Sequence, residues 1–250
     1  MVTLKENERI DDLERNGYRI IQNKSRFCFG MDAVLLSGFA ADSLSGKRKL
    51  KIADLGTGTG IIPLLVEARL KENAEKIDAL EIQPEMCDMA RRSVELNGLS
   101  EKIRITEGDI KSASDIFGRG VFDAVTSNPP YIKNAGGIIN PDDSKAIARH
   151  EVLCSFRDVA ESASAILKPG GRFFLVHRPD RLAEIIITLN NAGLQPKVLK
   201  MVHSFMDSEA TLFLLEAIKG GNFGMKVLKP LIIYKEVGKY TDEIYDIYGF

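Results

Sequence analysis

From Leu50 onward, short apolar runs alternate with amphipathic stretches of helical period. That alternation is the pattern of a parallel sheet with crossover helices. Lys51 to Leu55 predicts a buried strand, Gly56 to Gly60 a glycine-rich turn, and Ile61 to Arg69 the first core helix. Ile77 to Ile82 predicts the second strand. Pro84 suits a helix start and Asn97-Gly98 its end, with Met86, Met89, Ala90, Val94 and Leu96 as apolar positions between. Further strands are expected over Ile103 to Thr106, Phe122 to Ser127, Arg172 to Val176, Pro196 to Val202 and Thr211 to Ile218. Phe156 to Leu167 predicts a helix that stops before Pro169-Gly170-Gly171, and Leu182 to Ala192 one ended by Gly193. Ahead of this core, Tyr18 to Ile21 predicts a strand and Asp32 to Ala41 a helix capped by Asp32. Behind it, Val227 to Tyr234 is apolar, and Thr241 to Tyr248 predicts a short helix. No long linker interrupts the chain. One domain is therefore expected, a core over residues 50–220 with extensions over 1–49 and 221–250.

Composition narrows the class without naming a function. The 250 residues are 44% hydrophobic and 28% charged, ordinary for a soluble globular protein. Lys+Arg number 34 and Asp+Glu 35, for a net charge of -1. This excludes a histone-like basic binder but leaves room for a local basic face. Cys28, Cys87 and Cys154 lie far apart with no C-x-x-C, which excludes a disulfide framework and a cysteine-type zinc site. Together with the absence of an apolar run of about eighteen residues and of a signal-like start, this predicts a cytoplasmic protein with no metal and no membrane partner. A monomer is expected. His150, His177 and His203 make no convincing Ser-His-Asp set and read as surface or hydrogen-bonded histidines.

The first chemical motif is Asp54-Leu55-Gly56-Thr57-Gly58-Thr59-Gly60, leaving a strand and entering a helix. Glycines let the backbone approach a ligand, and the helix offers free N–H groups. A dinucleotide fingerprint wants G-x-G-x-x-G. Here the third glycine comes one residue early and Ile61 stands where that fingerprint wants Gly or Ala. Asp54 adds a carboxylate that suits an ammonium better than a pyrophosphate, so the loop matches an amino-acid-bearing nucleoside better than NAD. Glu81, at the end of the second strand, is placed to accept both ribose hydroxyls. Gly108-Asp109 follows the third strand, where Asp109 either grips an adenine amino group or caps the next helix.

The sharpest motif is Asn128-Pro129-Pro130-Tyr131, just past the fourth strand. Neither proline can donate to a sheet ladder. The Asn side chain and the Pro129 carbonyl then present two acceptors to one spot, which suits a planar amino group. Accepting both its N–H bonds positions the nitrogen and helps it pyramidalise, freeing its lone pair for attack. Tyr131 supplies a flat face for the ring that carries the amine.

These residues, DLGTGTG with Glu81, Gly108-Asp109 and NPPY, resemble the S-adenosylmethionine-dependent methyltransferases that act on exocyclic or amide nitrogens. The resemblance implies the Rossmann-like α/β class I methyltransferase fold, a mostly parallel seven-stranded sheet with its last strand antiparallel and helices on both faces. It implies S-adenosylmethionine as cofactor, held by Asp54, Gly56, Thr57, Gly58, Gly60, Glu81, Ile82, Gly108, Asp109, Ile110 and Asn128, with Asn128, Pro129, Pro130 and Tyr131 as the catalytic set. NPPY does not choose among adenine in DNA, adenine or guanine in RNA, and a release-factor glutamine. The flanks narrow this. Gly17 to Gln22, Phe27 to Leu36, Lys229 to Tyr234 and Tyr240 to Ile244 resemble the bacterial tRNA1(Val) adenine-N(6)-methyltransferase family. That family implies a tRNA substrate, modified at the adenosine 3′ of the anticodon, and a cofactor pocket closed by Phe29 and Asp32.

Six basic residues, Lys168, Arg172, Arg178, Arg181, Lys197 and Lys200, face only Asp180 and Glu184 between positions 168 and 200, and Lys133, Lys145 and Arg149 lie just past NPPY. Both groups are expected to frame the target pocket, with Lys133, Arg149, Arg178 and Arg181 as the RNA-binding candidates. Protein glutamine methylation, an NAD enzyme and a non-catalytic binding module are the competing readings. The intact Asn128 and Pro129 weigh against the last.

Overall fold

A computed structural model describes residues 2–24, 28–130 and 154–249. It begins with a hairpin, β1 (Glu8–Asp12) and β2 (Arg19–Asn23), followed by helix α1 (Met31–Leu44). The core then alternates β3 (Leu50–Leu55), α2 (Ile61–Leu70), β4 (Ala74–Glu81), α3 (Pro84–Leu96), β5 (Ile103–Glu107), α4 (Ala113–Phe117) and β6 (Phe122–Ser127). It continues with α5 (Phe156–Ile166), β7 (Leu167–His177), α6 (Leu182–Asn191), β8 (Leu194–His203) and β9 (Ala210–Lys219). Short strands β10 (Lys226–Val227), β11 (Leu231–Ile232), β12 (Tyr234–Glu236) and β13 (Lys239–Tyr240) lead to α7 (Asp242–Tyr248).

The main sheet has the order β5-β4-β3-β6-β7-β9-β8. Its first five strands pair in parallel, and β9 runs antiparallel between β7 and β8. This is the expected class I methyltransferase sheet, widened at the β8 edge by β10 and β11. The strands are buried on both faces, as continuous apolar runs in parallel sheets require. Along β7, Phe174 and Val176 enter one core with α1, α2 and α3, while Phe173 and Leu175 enter the other with α5 and α6. Each such side chain contributes about 1.5–3 kcal/mol on full burial.

Several element ends shift by one to three residues, and three larger differences from the sequence reading have identifiable causes. Helix α1 starts at Met31 with Gly30 as its N-cap and no side-chain cap. Asp32 is not the cap because it lies inside the first turn, where one oxygen accepts from its neighbour Ala33 N. Strand β7 starts at Leu167 rather than Arg172: residues 168–171 bulge out between the pairs Phe122–Leu167 and Ala124–Arg172. Gly170 takes φ +75°, and a Cβ on Gly171 would lie 2.8 Å from the Lys168 carbonyl, so these glycines permit a bulge where a break was expected. Hairpin strand β1 is too polar (ERIDD) to show the strand signal and is held by pairing with β2.

Both extensions are tied to the core. Arg92 on α3 bonds Glu8 of β1 at 2.6 Å and Asp88 at 2.6 Å, and its guanidinium holds the Glu8 carboxyl below its ordinary range. Arg15 and Arg69 both donate to the Ile247 carbonyl near the end of α7, where positive charge complements the helix dipole. On α2, Glu67 is buried but accepts from Tyr18 Oη at 2.6 Å and Lys102 Nζ at 3.1 Å.

Candidate active site

The carboxyl ends of the parallel strands lie side by side in the order β5, β4, β3, β6, β7. Strand order reverses between β3 and β6, and crevices at such switch points bind ligands. The register sets Asp54 opposite Thr126 and Leu55 opposite Ser127, so the glycine turn and Asn128 leave adjacent central strands.

The glycine turn is pinned from β4: Gly56 N and Thr57 N both donate to Leu80 O, at 2.9 and 3.0 Å. Gly56, Gly58 and Gly60 take φ of +77°, +57° and +85°, conformations that favour glycine. A Cβ on Gly60 would stand 3.2 Å from Ala90 Cβ of α3, so this glycine serves close packing, whereas one on Gly58 would meet nothing within 4 Å. Glu81 closes the turn: Oε2 accepts from Gly58 N and Oε1 from Gln83 N, both at 2.9 Å. Asp54 is buried at the end of β3, where Thr126 Oγ1 donates to its Oδ1 at 2.6 Å. Neither its Oδ2 nor the Thr57 hydroxyl makes a well-formed hydrogen bond among the described residues. Burial pushes the Asp54 carboxyl up to about 6, against the stabilising Thr126 bond and the nearby Thr57 hydroxyl.

Asp109 caps the turn at Ile110–Ser112, its Oδ1 accepting from Lys111 N at 2.9 Å. Ile82 stands 42% exposed beside Glu81, and Ile110 is half-buried in the next turn of the same edge. A Cβ on Gly108 would lie 2.7 Å from Ile116 Cδ1 and 3.1 Å from Leu80 Cδ1, so those side-chain ends would have to shift to admit one.

Asn128 Nδ2 donates to Asp32 Oδ2 at 3.0 Å, across 96 positions of sequence. Its Oδ1 is buried and has no partner among the described residues. Phe29 is placed through its backbone: Phe29 N donates to Oε1 of buried Gln22, whose Nε2 donates to Asp11. Gln22, Thr126 and Gln83 are the supporting residues that the sequence reading missed; Gln22 carries no sequence signal, while Thr126 could be found as the polar residue two before Asn128. Pro129 is half-buried and Pro130 exposed. Tyr131, Lys133, Lys145, Arg149 and His150 lie outside the described residues.

The basic cluster does not form as the linear count implied. Lys168 pairs with Asp123 and Arg172 with Glu216, and both sit near the start of β7, at the opposite edge of the sheet. Lys200 pairs with Glu243, and Lys197 donates to the Asn222 carbonyl. Only Arg178 and Arg181 follow the carboxyl end of β7, and Arg181 is bonded to Glu184 at 2.6 Å. Arg178 makes no ion pair among the described residues. His177 is buried beside Phe156 and Phe213 and accepts from Arg178 N at 2.8 Å. Burial, with help from Arg181, pulls its imidazole down to about 4, so it is neutral at neutral pH. His203 Nδ1 lies 2.7 Å from the Ser208 carbonyl.

A family model described as "Methyltransferase small domain" matches residues 31–191, which span α1 through α6 and include Asp32, the glycine turn, Glu81, Asp109 and Asn128 but not Gln22 or Phe29. The chain belongs to the methyltransferase small domain family. It is similar to a tRNA1(Val) (adenine(37)-N6)-methyltransferase of Porphyromonas gingivalis, with 30% identity over 222 residues, 86% of this chain and 84% of that one. A release factor glutamine methyltransferase of Chlorobaculum tepidum is 31% identical over 58% of this chain and 51% of its own. Among solved structures, a predicted O-methyltransferase of Agrobacterium tumefaciens superposes with a TM-score of 0.71 at 28% identity, covering 87% of this chain and 95% of that one. The chain is thus an S-adenosylmethionine-dependent N-methyltransferase. The site fits that cofactor on its own geometry. The buried Asp54 carboxylate, whose Oδ2 makes no well-formed hydrogen bond among the described residues, suits an ammonium, the open face at Gly58 leaves room for close backbone approach, and exposed Ile82 beside Glu81 suits an adenine ring above a ribose.

Proposed function

We propose that this methyltransferase modifies the exocyclic amine of an adenosine in tRNA 3′ of the anticodon, at position 37, the number in the Porphyromonas gingivalis relative's name. The observation that carries the reading is the buried Asn128 Oδ1, an acceptor without a donor among the described residues, at the head of NPPY. A buried acceptor left unmade costs stability, and an amino group supplies the missing N–H. When bound, S-adenosylmethionine supplies a methyl group on a positively charged sulfur. The rest is positioning by the chain. Asp54, Gly56, Thr57, Gly58, Gly60 and Glu81 hold the cofactor, with Gly108 shaping the edge beside Ile82, Asp109 and Ile110, and Phe29 closing the pocket. Asn128 Oδ1 and the Pro129 carbonyl accept the two amine hydrogens and aim the nitrogen lone pair, an orientation effect of the kind that supplies much of a bimolecular barrier. Pro130 stiffens the turn, and Tyr131 stacks on the base. The methylated nitrogen is acidic and sheds its proton to water, so no metal or strong base is required. Arg178 and Arg181, with Lys133 and Arg149, contact the RNA backbone.

The two extensions act with the core as one unit in this reading, and the protein works in the cytoplasm as a monomer. Among the described residues no helix is long and apolar enough to cross a membrane. Mass spectrometry of digested bulk tRNA from cells with and without the gene tests the substrate. Loss of N6-methyladenosine is expected; unchanged tRNA with loss of methylglutamine from a release factor would transfer the activity to protein.

A further inference from the structure

The sequence resemblance sends Asp32 to the cofactor pocket; its contacts also tie it to Asn128. Asp32 Oδ2 meets the Asn128 side chain at 3.0 Å, and its Oδ1 accepts from Ala33 N at 2.9 Å. An ionised carboxylate only accepts hydrogen bonds, whereas an amide has one donor end and one acceptor end. Only the Nδ2 end of Asn128 can therefore face Asp32, and the Oδ1 end must face away. That end is the buried atom without a partner among the described residues.

We propose that Asp32 is a positioning residue: it locks the amide of Asn128 in the one orientation that offers Oδ1 to the substrate amine. The reversed amide would present N–H groups to an N–H donor and leave two donors facing each other. This inference rests on the reading of Asn128 as the residue that holds the amine.

Gly30 belongs to the same device. It takes φ −104° and ψ 179° as the N-cap of α1, an extended conformation that any residue adopts, so its lack of a side chain is not needed for the backbone. A Cβ there would lie 2.7 Å from Asp32 Oδ1, too close to leave the carboxylate where it stands. The first turn of α1 adds its own preference for negative charge. The carboxylate is thus placed by the helix start, kept in reach of Asn128 by the missing Cβ, and read out 96 positions later in sequence.

The test is a charge swap. Asp32→Asn removes the acceptor-only partner, so Asn128 can settle either way round; kcat should fall about tenfold or more, as expected for lost alignment. Affinity for S-adenosylhomocysteine should be unchanged by calorimetry, whereas a residue that closes the cofactor pocket would weaken it. Asn128→Asp alone sets two carboxylates within hydrogen-bond distance, a like-charge pair that disfavours the geometry, and should be less active than Asp32→Asn. Combining Asp32→Asn with Asn128→Asp exchanges the two groups. The amide then at position 32 can donate to the carboxylate at position 128, whose other oxygen remains an acceptor. The kcat of this double variant should exceed that of Asn128→Asp by about tenfold, the coupling expected of groups in direct contact. A residue with a merely structural role gives no such rescue. Gly30→Ala should lower kcat in the same direction as Asp32→Asn, again with cofactor affinity retained.

A measurement without substrate separates this proposal from the assignment of the reaction. The side-chain amide resonance of Asn128, assigned by NMR in the full chain, should shift markedly in Asp32→Asn and Gly30→Ala. If wild type methylates no tRNA but the resonance shifts, the substrate reading fails and the lock stands. An unmoved resonance, unchanged kcat in Asp32→Asn, or a double variant no better than Asn128→Asp would overturn the lock.

Discussion

The two halves of the carboxyl edge are built differently. On the β3–β5 side, acidic groups are held within or beside their own turns: Glu81 by Gly58 N and Gln83 N, Asp109 by Lys111 N, Asp54 by Thr126 of the adjacent strand. On the β6–β7 side, Asn128 depends on Asp32 from a distant helix, and Arg181 is engaged by Glu184. Bonds from neighbouring turns and strands make the first half a preformed cradle. The second half leaves an acceptor open for a substrate to complete. Substitutions should therefore divide into those that change cofactor affinity and those that change turnover.

The largest effect is expected at Asn128. Asn128→Ala removes the acceptor that aligns the amine, and turnover should fall at least about a hundredfold, the scale of a small misplacement of reacting groups. S-adenosylhomocysteine should still bind normally. Single-turnover rates on unmodified tRNA, with calorimetry on the same protein, check both parts. A near-normal rate would mean the amine is held elsewhere, and the division between the halves would collapse.

Glu81→Ala probes the opposite half. It removes the ribose acceptor and also releases Gly58 N and Gln83 N. The loss of charge-assisted bonds should weaken S-adenosylhomocysteine by about 1.5–3 kcal/mol, while turnover at saturating cofactor falls much less. Comparable losses in both quantities would show that the turn also positions the substrate.

Asp54 gives the cradle a pH signature. Burial sets its folded value at about 6, above the ordinary carboxylate range of about 3.9. An ammonium binds the ionised form, so affinity for S-adenosylhomocysteine should hold above pH 6 and fall up to about tenfold per pH unit below it. Stability of the ligand-free protein should respond with the opposite sign. Between about 6 and 4 the folded state holds the Asp54 proton more tightly than the unfolded state, so this group adds stability as pH falls. Calorimetry across that window, repeated with Asp54→Asn, checks the first statement; a pH-independent affinity would remove Asp54 from the ammonium site.

Much of this was legible because the β3–β5 half is written locally. A glycine turn after one strand and a carboxylate after the next announce themselves by spacing, and Phe122–Ser127 was bounded correctly because strand, polar end and Pro-Pro follow in sequence. Asp32 shows what spacing misses. A helix-start aspartate reads as a cap, and only the fold reveals that its second oxygen reaches Asn128. Gln22 gave no signal because its task, holding Phe29 N, is set by a hairpin whose first strand is polar. The basic cluster misled for a related reason. Adjacency in a linear count placed Arg172 beside Arg178, but six residues of extended strand carry them to opposite edges of the sheet, and Glu216 neutralises the first.

That correction sharpens the smallest expected effect. Arg178 and Arg181 alone remain at the carboxyl edge among the basic residues of that run, and they are not equivalent. Arg181 is bonded through two nitrogens to Glu184, so a phosphate must compete with that carboxylate. Arg178 has no ion pair among the described residues, so its charge is available. Each phosphate contact releases counterions, and losing one should reduce the slope of log K against log salt by about 1. Arg178→Ala should therefore weaken tRNA binding a few-fold, on the order of 1 kcal/mol, and flatten the salt dependence. Arg181→Ala should do less, and Glu184→Gln, which frees Arg181, should strengthen binding slightly. Cofactor affinity should stay constant in all three. Filter binding of tRNA across a salt series reads these differences directly. If Arg181→Ala had the larger effect, the Glu184 pair would have to open on RNA binding, and the β6–β7 half would be more pliable than its bonds imply.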